Sequence, residues 1–167
     1  LKNCNVYIIT VPTPINKNKT PDLKLLKDAS NLVGSVLKKD DIVILRSTVP
    51  VGTTRNIVIP TLEKLSGLVA GIDFDVAFCP ERTIEGKALK ELRELPQIIG
   101  SLTERGAKSA RGIFNNVTAT IIDLGSIEAS EMLKIMDNTF RDLCFAYSNQ
   151  ISLICNKLNI DMTSIVR

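Results

Sequence analysis

The first two-thirds of the chain alternates short, nearly continuous apolar runs with amphipathic stretches. Five runs read as strands: Asn5–Thr10, Asp41–Arg46, Phe74–Phe78, Gln97–Gly100 and Ala119–Asp123. Four helical stretches lie between them. The first opens at Thr20-Pro21-Asp22, which reads as N-cap, proline at the first helical position and an acidic first turn. It runs to about Lys38, with Leu23, Leu26, Ala29, Val33, Val36 and Leu37 on its apolar face. The others cover about Thr53 to Leu65, Lys87 to Leu92, and a stretch capped by Thr103 that ends near Phe114. Strands that are apolar on both faces, separated by amphipathic helices, predict a parallel α/β sheet covered on both sides.

The pattern then changes. From Ser126 to about Leu158 the helical period continues with neither proline nor glycine, far beyond an ordinary globular helix. A helix of that length often leaves one domain to build another, which places a boundary near Gly125. Residues 1–125 form the α/β part and residues 126–167 begin a helical one.

Composition narrows the function classes. Apolar residues make up 44% of the 167, enough for a sizeable core, and the net charge of +3 is ordinary. Lys and Arg are interspersed with Asp and Glu, so no basic stripe argues for a nucleic-acid partner. No apolar run is long enough to cross a bilayer, and no secretory leader pattern opens the chain. Cys4, Cys79, Cys144 and Cys155 have no metal-site spacing and read as reduced thiols of a cytoplasmic protein. Histidine is absent, which rules out Ser-His and Cys-His pairs within this chain. The sequence begins at Leu1, close to its first strand, which suggests a piece of a longer protein.

Ligands of doubly wound sheets bind at the carboxyl ends of strands, and three strand-end loops there carry chemistry. Val11-Pro12-Thr13-Pro14 holds one hydroxyl between two ring-stiffened positions; the plain alternative is a rigid turn. Ser47-Thr48-Val49-Pro50-Val51-Gly52-Thr53 puts hydroxyls before a helix start, where anions and polarised oxygens are attracted; the plain alternative is an ordinary cap by Thr53. Cys79-Pro80-Glu81-Arg82-Thr83-Ile84-Glu85-Gly86 brings two carboxylates and a guanidinium after a buried strand; the plain alternative is a surface ion pair.

The long helix gives a geometric argument. With Lys134 at zero and about 100° per residue, Asn138 lies near about +40°, Arg141 near about −20° and Glu131 near about +60°. These four form one polar stripe, while Met132, Leu133, Ile135, Met136, Phe140, Leu143 and Tyr147 occupy the opposite arc. A solvated face with a Glu131–Lys134 pair would explain most such stripes. Asparagine is a poor helix former, however, and Lys with Asn one turn apart can hold a sugar hydroxyl or a developing alkoxide.

In order, Val11-Pro-Thr-Pro14, Ser47-Thr-Val-Pro-Val-Gly-Thr53, Cys79-Pro-Glu-Arg82 with Glu85-Gly86, and Ser130-Glu-Met-Leu-Lys-Ile-Met-Asp-Asn138 resemble the UDP-glucose/GDP-mannose dehydrogenase family along essentially the whole chain. The resemblance implies the second half of a Rossmann-like parallel sheet, followed by a long helix that starts an all-α central domain through which subunits form homodimers. It implies two NAD-dependent oxidations of a sugar's primary alcohol to a carboxylate. Val11, Pro12, Thr13, Ser47 and Thr48 match cofactor contacts on the nicotinamide side, and Glu85 matches a residue near cofactor and substrate. Glu81 matches the glutamate of proton transfer or water positioning. Lys134 and Asn138 match the pair holding the reacting oxygen, with Lys134 the acid/base. Arg82, Thr83 and Arg141 match substrate contacts of the amino-sugar branch. Pro80-Glu81-Arg82 and Asn138-Thr-Phe-Arg141-Asp142 point within the family to UDP-N-acetyl-mannosamine as the UDP-sugar.

Two features of the family have no match here: the G-x-G-x-x-G fingerprint that would precede the first strand, and the nucleophilic cysteine in a glycine-rich loop. All four cysteines therefore read as structural, and the chain alone is expected to be inactive. UDP-glucose or GDP-mannose 6-dehydrogenases are alternatives. So are β-hydroxyacid dehydrogenases, which also place Lys-x-x-x-Asn on a helix, and a non-catalytic helical assembly module.

Overall fold

The computed structural model describes residues 3–84 and 86–165. Five strands form one sheet in the order β1 (Val6–Ile9), β2 (Ile42–Leu45), β3 (Asp75–Phe78), β4 (Gln97–Ser101) and β5 (Ile121–Asp123). Strand β2 pairs in parallel with both neighbours, in the register Val6↔Ile42 and Ile42↔Asp75. The expected all-parallel sheet needs one correction, because β4 runs antiparallel to β3 while β5 is again parallel to β4. The connection explains it. A parallel return needs a crossover that packs on the sheet, and α3 (Ala88–Glu94), the helix between β3 and β4, buries none of its residues.

Both sheet faces are covered. Helix α1 (Lys24–Gly34) and α2 (Ile59–Ser66), the latter entered through a π-helical turn at Thr54–Val58, lie on one face. Leu26, Val33, Val58 and Leu62 pack there with Tyr7, Ile9, Val43, Leu45, Val76 and Phe78. Helix α4 (Glu104–Phe114) covers the other face, where Ala110 and Phe114 meet Ile42, Ile44, Ala77, Cys79 and Ile99. The period-3.6 pattern of the first helix is met, since Leu26, Val33 and Leu37 are buried and Leu23, Ala29 and Val36 pack against them.

The helix ends follow capping chemistry in one case and depart from expectation in another. Thr103 accepts from the Gly106 N–H at 3.0 Å, as a cap should. The expected cap at Thr20 does not form. Its hydroxyl donates to Asn18 Oδ1 at 2.6 Å, and Asp22 accepts from the Lys24 N–H at 2.9 Å, so α1 begins two residues beyond Asp22 and stops at Gly34 rather than near Lys38.

Helix α5 spans Ile127–Lys157, and a short α6 follows at Met162–Ile165. The base of α5 sits closely on β4. A β-carbon on Gly100 would collide with the Ser126 carbonyl and the Ser130 hydroxyl, so glycine is required for that approach. The chain divides into two compact units, residues 1–134 and residues 135–167.

Candidate active site

The loops leaving β1, β2 and β3 are tied to one another at their carboxyl ends. Ser47, 8% exposed, donates its hydroxyl to the Val11 carbonyl at 2.5 Å. Thr13 donates to the Thr48 carbonyl at 2.6 Å. The threonine between the two prolines is thus held in place, as its flanks suggest, while Pro12 and Thr48 remain exposed beside it. From β3, the Glu81 N–H donates to the Arg46 carbonyl at 3.3 Å.

The helix start after Ser47-Thr48 corrects two expectations. Thr53 does not cap it, since its hydroxyl donates to the Pro50 carbonyl at 2.6 Å. Nor is its N-terminus open to a ligand. Glu131, from α5 and fully buried, fills it, accepting from Gly52 N at 2.5 Å, from Thr54 N at 2.9 Å and from the Thr54 hydroxyl at 2.6 Å. Gly52 has φ +87°, a backbone state that side chains disfavour, and there its N–H meets the carboxylate. Glu128, one turn earlier, pairs with Arg55, whose hydrogen bond lowers the Glu128 carboxyl to about 2 against the opposing effect of burial. Two acids on the first turns of α5 therefore grip the Gly52–Arg55 turn.

This grip sets the inward face of the first turns of α5. Glu131 is fully buried and belongs to no solvated stripe. Ile127, Ser130 and Glu131 are the buried positions of its first turns, whereas Met132 of the apolar arc is 47% exposed. Lys134 is half-buried, three residues beyond Glu131 and so on the same face. Asn138, one turn further along the helix, accepts from Arg141 Nη2 at 3.4 Å.

Glu81 is held more firmly than a surface ion pair with Arg82 would hold it. Its partner is Arg46, whose Nη2 lies 2.5 Å from Oε2. Its Oε1 accepts from the Arg82 and Thr83 N–H groups, both at 2.9 Å. Burial pushes the carboxyl up, but the Arg46 hydrogen bond and charge with the Thr83 N–H outweigh it and bring it to about 2. The Arg82 guanidinium donates to the Pro96 carbonyl at 3.3 Å. Glu85 lies outside the described residues. Arg46 and Gln97 are the residues that sequence reasoning passed over. The signal was present in a charge ending the apolar run Asp41–Arg46 and an amide opening Gln97–Gly100, since buried polar groups of this kind need partners.

Residues 1–118 match the NAD-binding domain of the UDP-glucose/GDP-mannose dehydrogenase family, and residues 128–167 match its central domain. The chain belongs to that family. It is 39% identical over its whole length to the UDP-N-acetyl-D-glucosamine 6-dehydrogenase of Salmonella typhi, covering 40% of that protein. It is 38% identical to the UDP-N-acetyl-D-mannosamine dehydrogenase of Pyrococcus horikoshii, over 97% of this chain and 38% of the relative. The crystal structure of the GDP-mannose dehydrogenase of Pseudomonas aeruginosa superposes with a TM-score of 0.93 at 29% identity, over 99% of this chain and 38% of that one. The chain spans about two-fifths of the length of the curated relatives it matches.

The cysteines divide by burial. Cys79 is fully buried among Ile99, Ala110 and Phe114, and burial pushes its thiol up to about 12 despite nearby Arg46. Cys155 is buried as well, while Cys4 and Cys144 are exposed. Among the described residues, no group of Cys, Asp and Glu is disposed to hold a metal ion, and no helix is long and apolar enough to cross a membrane.

Proposed function

We propose that this chain supplies the nicotinamide-side contacts and the sugar-oxygen stripe of an NAD-dependent dehydrogenase that oxidises the C6 primary alcohol of UDP-N-acetyl-mannosamine to a uronate in two steps. The observation that carries the proposal is the Glu131 grip on Gly52 and Thr54. It ties the helix bearing Lys134 to the loop bearing Ser47 and Thr48.

In this reading Val11, Pro12, Thr13, Ser47 and Thr48 hold the nicotinamide end of NAD. The fit is reasonable, because the hydroxyls of Thr13 and Ser47 are spent on shaping the loops and exposed Pro12 and Thr48 form the contact surface. Bound NAD supplies the hydride acceptor. Lys134 and Asn138 hold the reacting oxygen, and Lys134 takes its proton as general base. Glu81, fixed and ionised, orients a water for the final hydrolysis better than it exchanges protons. Glu85 stands near cofactor and substrate, and Arg82, Thr83 and Arg141 contact the sugar nucleotide.

The amino-sugar assignment rests on Pro80-Glu81-Arg82 and Asn138-Thr-Phe-Arg141, in line with relatives named for N-acetylated substrates. Those relatives differ at C2 of the sugar, so UDP-N-acetyl-glucosamine is the second reading. The test is kcat/KM of the complete polypeptide that the gene encodes, on UDP-N-acetyl-mannosamine, UDP-N-acetyl-glucosamine, UDP-glucose and GDP-mannose. The mannosamine compound is expected to lead, and a lead for UDP-glucose would overturn the amino-sugar assignment.

The chain by itself is proposed to be inactive, because none of its cysteines suits a covalent step. It is also proposed to act in the cytoplasm and as a homodimer through the long helix, where Phe140, Leu143 and Tyr147 are each more than 60% exposed. Sedimentation at micromolar concentration is expected to give twice the monomer mass, and a monomer there would remove the dimer.

A further inference from the structure

The Cys79–Thr83 turn is held from outside itself. Arg46, at the end of β2, is 7% exposed. Its Nη2 donates to Glu81 Oε2 at 2.5 Å and its Nη1 to Gln97 Oε1 at 3.0 Å. Its guanidinium carbon stands 5.0 Å from the centre of the Phe114 ring. Gln97 in turn donates to the Ile98 carbonyl at 2.8 Å and the Pro80 carbonyl at 3.4 Å. Groups from β2, β4 and α4 thus converge on one carboxylate and the turn that carries it.

A buried ion pair is a poor source of stability, because desolvation offsets the attraction. Orientation is what this one supplies. Oε2 is taken by Arg46 and Oε1 by two backbone N–H groups, yet the side chain stays 45% exposed. One face of a fixed anion therefore remains open. A cavity of about 10 Å³, lined in part by Glu81, Thr83 and Gln97, adjoins it, which is room for about one water.

We propose that Arg46 is a positioning residue, holding the Glu81 carboxylate ionised and turned so that its open face meets the reacting water or sugar. This rests on the dehydrogenase reading above. Among the described residues, the charged groups around Glu81 are Arg46 just beyond β2, Arg82 on its own turn, and Glu91 of α3, which lines the same cavity and accepts from the Ile84 N–H at 2.6 Å. Burial opposes ionisation, and the buried Arg46, with the hydrogen bonds of Thr83, reverses it.

The test has two arms. The Glu81 side-chain carboxyl is titrated by carbon-13 NMR in the 167-residue chain, as wild type, Arg46→Lys and Arg46→Met. The pH profile of kcat is measured in the complete encoded polypeptide with UDP-N-acetyl-mannosamine and NAD. Wild-type Glu81 is expected to stay ionised from pH 7 to about pH 4, below the usual glutamate range. Arg46→Met is expected to raise its midpoint by about one unit or more, and Arg46→Lys, which keeps the charge, to leave it low. In turnover, Arg46→Met is expected to lower kcat about tenfold or more, with a new acidic limb and an unchanged KM for NAD. A wild-type carboxyl titrating in the ordinary range overturns the proposal without any variant, as does an unchanged midpoint in Arg46→Met. Failure of the wild type to turn over any nucleotide sugar removes the dehydrogenase reading instead, and is distinguished by the titration.

Discussion

Glu81 and Glu128 have the same chemistry in different settings. Each carboxyl is brought to about 2, Glu81 by Arg46 and the Thr83 N–H, Glu128 chiefly by Arg55, in both cases against burial. An unfolded glutamate titrates near about 4.3, so both groups bind protons more weakly in the folded chain. Their contribution is fully present above that value and is lost as pH falls toward 2. The melting temperature is therefore expected to decline between pH 5 and pH 3. Arg55→Met should flatten part of that slope by returning Glu128 to its ordinary range. The pair is half-exposed and so worth at most about 1 kcal/mol. Equal slopes in wild type and variant, measured by thermal melts across that range, would contradict the pairing.

At the scale of elements, the strands and helices were legible because hydrophobic periodicity is local. The run Asp41–Arg46 and the capped stretch from Thr103 to Phe114 form close to where the pattern puts them. The direction of β4 was not legible, since it depends on whether α3 packs on the sheet, and a short helix with Leu89 and Leu92 gives no local sign of staying outside it. The burial of Glu131 was not legible for a similar reason. A polar stripe normally faces water, but Glu131 finds three donors on a segment far away in sequence, and periodicity is blind to such partners. The family fared better, because ordered short motifs survive without tertiary information. Removing the clamp tests its weight. Glu131→Ala leaves the buried Thr54 N–H and hydroxyl and the part-buried Gly52 N–H without their acceptor and is expected to cost about 3 kcal/mol in urea unfolding. Glu131→Gln, keeping one acceptor oxygen, should lose less. A loss below about 1 kcal/mol for the alanine variant would mean that water or a neighbour replaces the carboxylate.

At the scale of the whole molecule, the family is settled by two matched domains covering residues 1–118 and 128–167, while the chemistry proposed for it depends on how Lys134 and Asn138 act together. The proposal assigns this chain the loop contacts, the anion fixed at Glu81 and the start of the helix that holds the reacting oxygen. The chain spans about two-fifths of the length of its relatives, and its Cys79 is buried away from any ligand. A single oxidation would favour a β-hydroxyacid dehydrogenase, and unchanged turnover without the Lys–Asn pair would favour an assembly role. The most direct measurement is the NADH formed per molecule of UDP-N-acetyl-mannosamine consumed by the complete encoded polypeptide, with Lys134→Ala and Asn138→Ala alongside. Two NADH and a uronate are expected, with turnover in each variant reduced about a hundredfold or more. One NADH with a ketone product, or full turnover in both variants, would contradict the account.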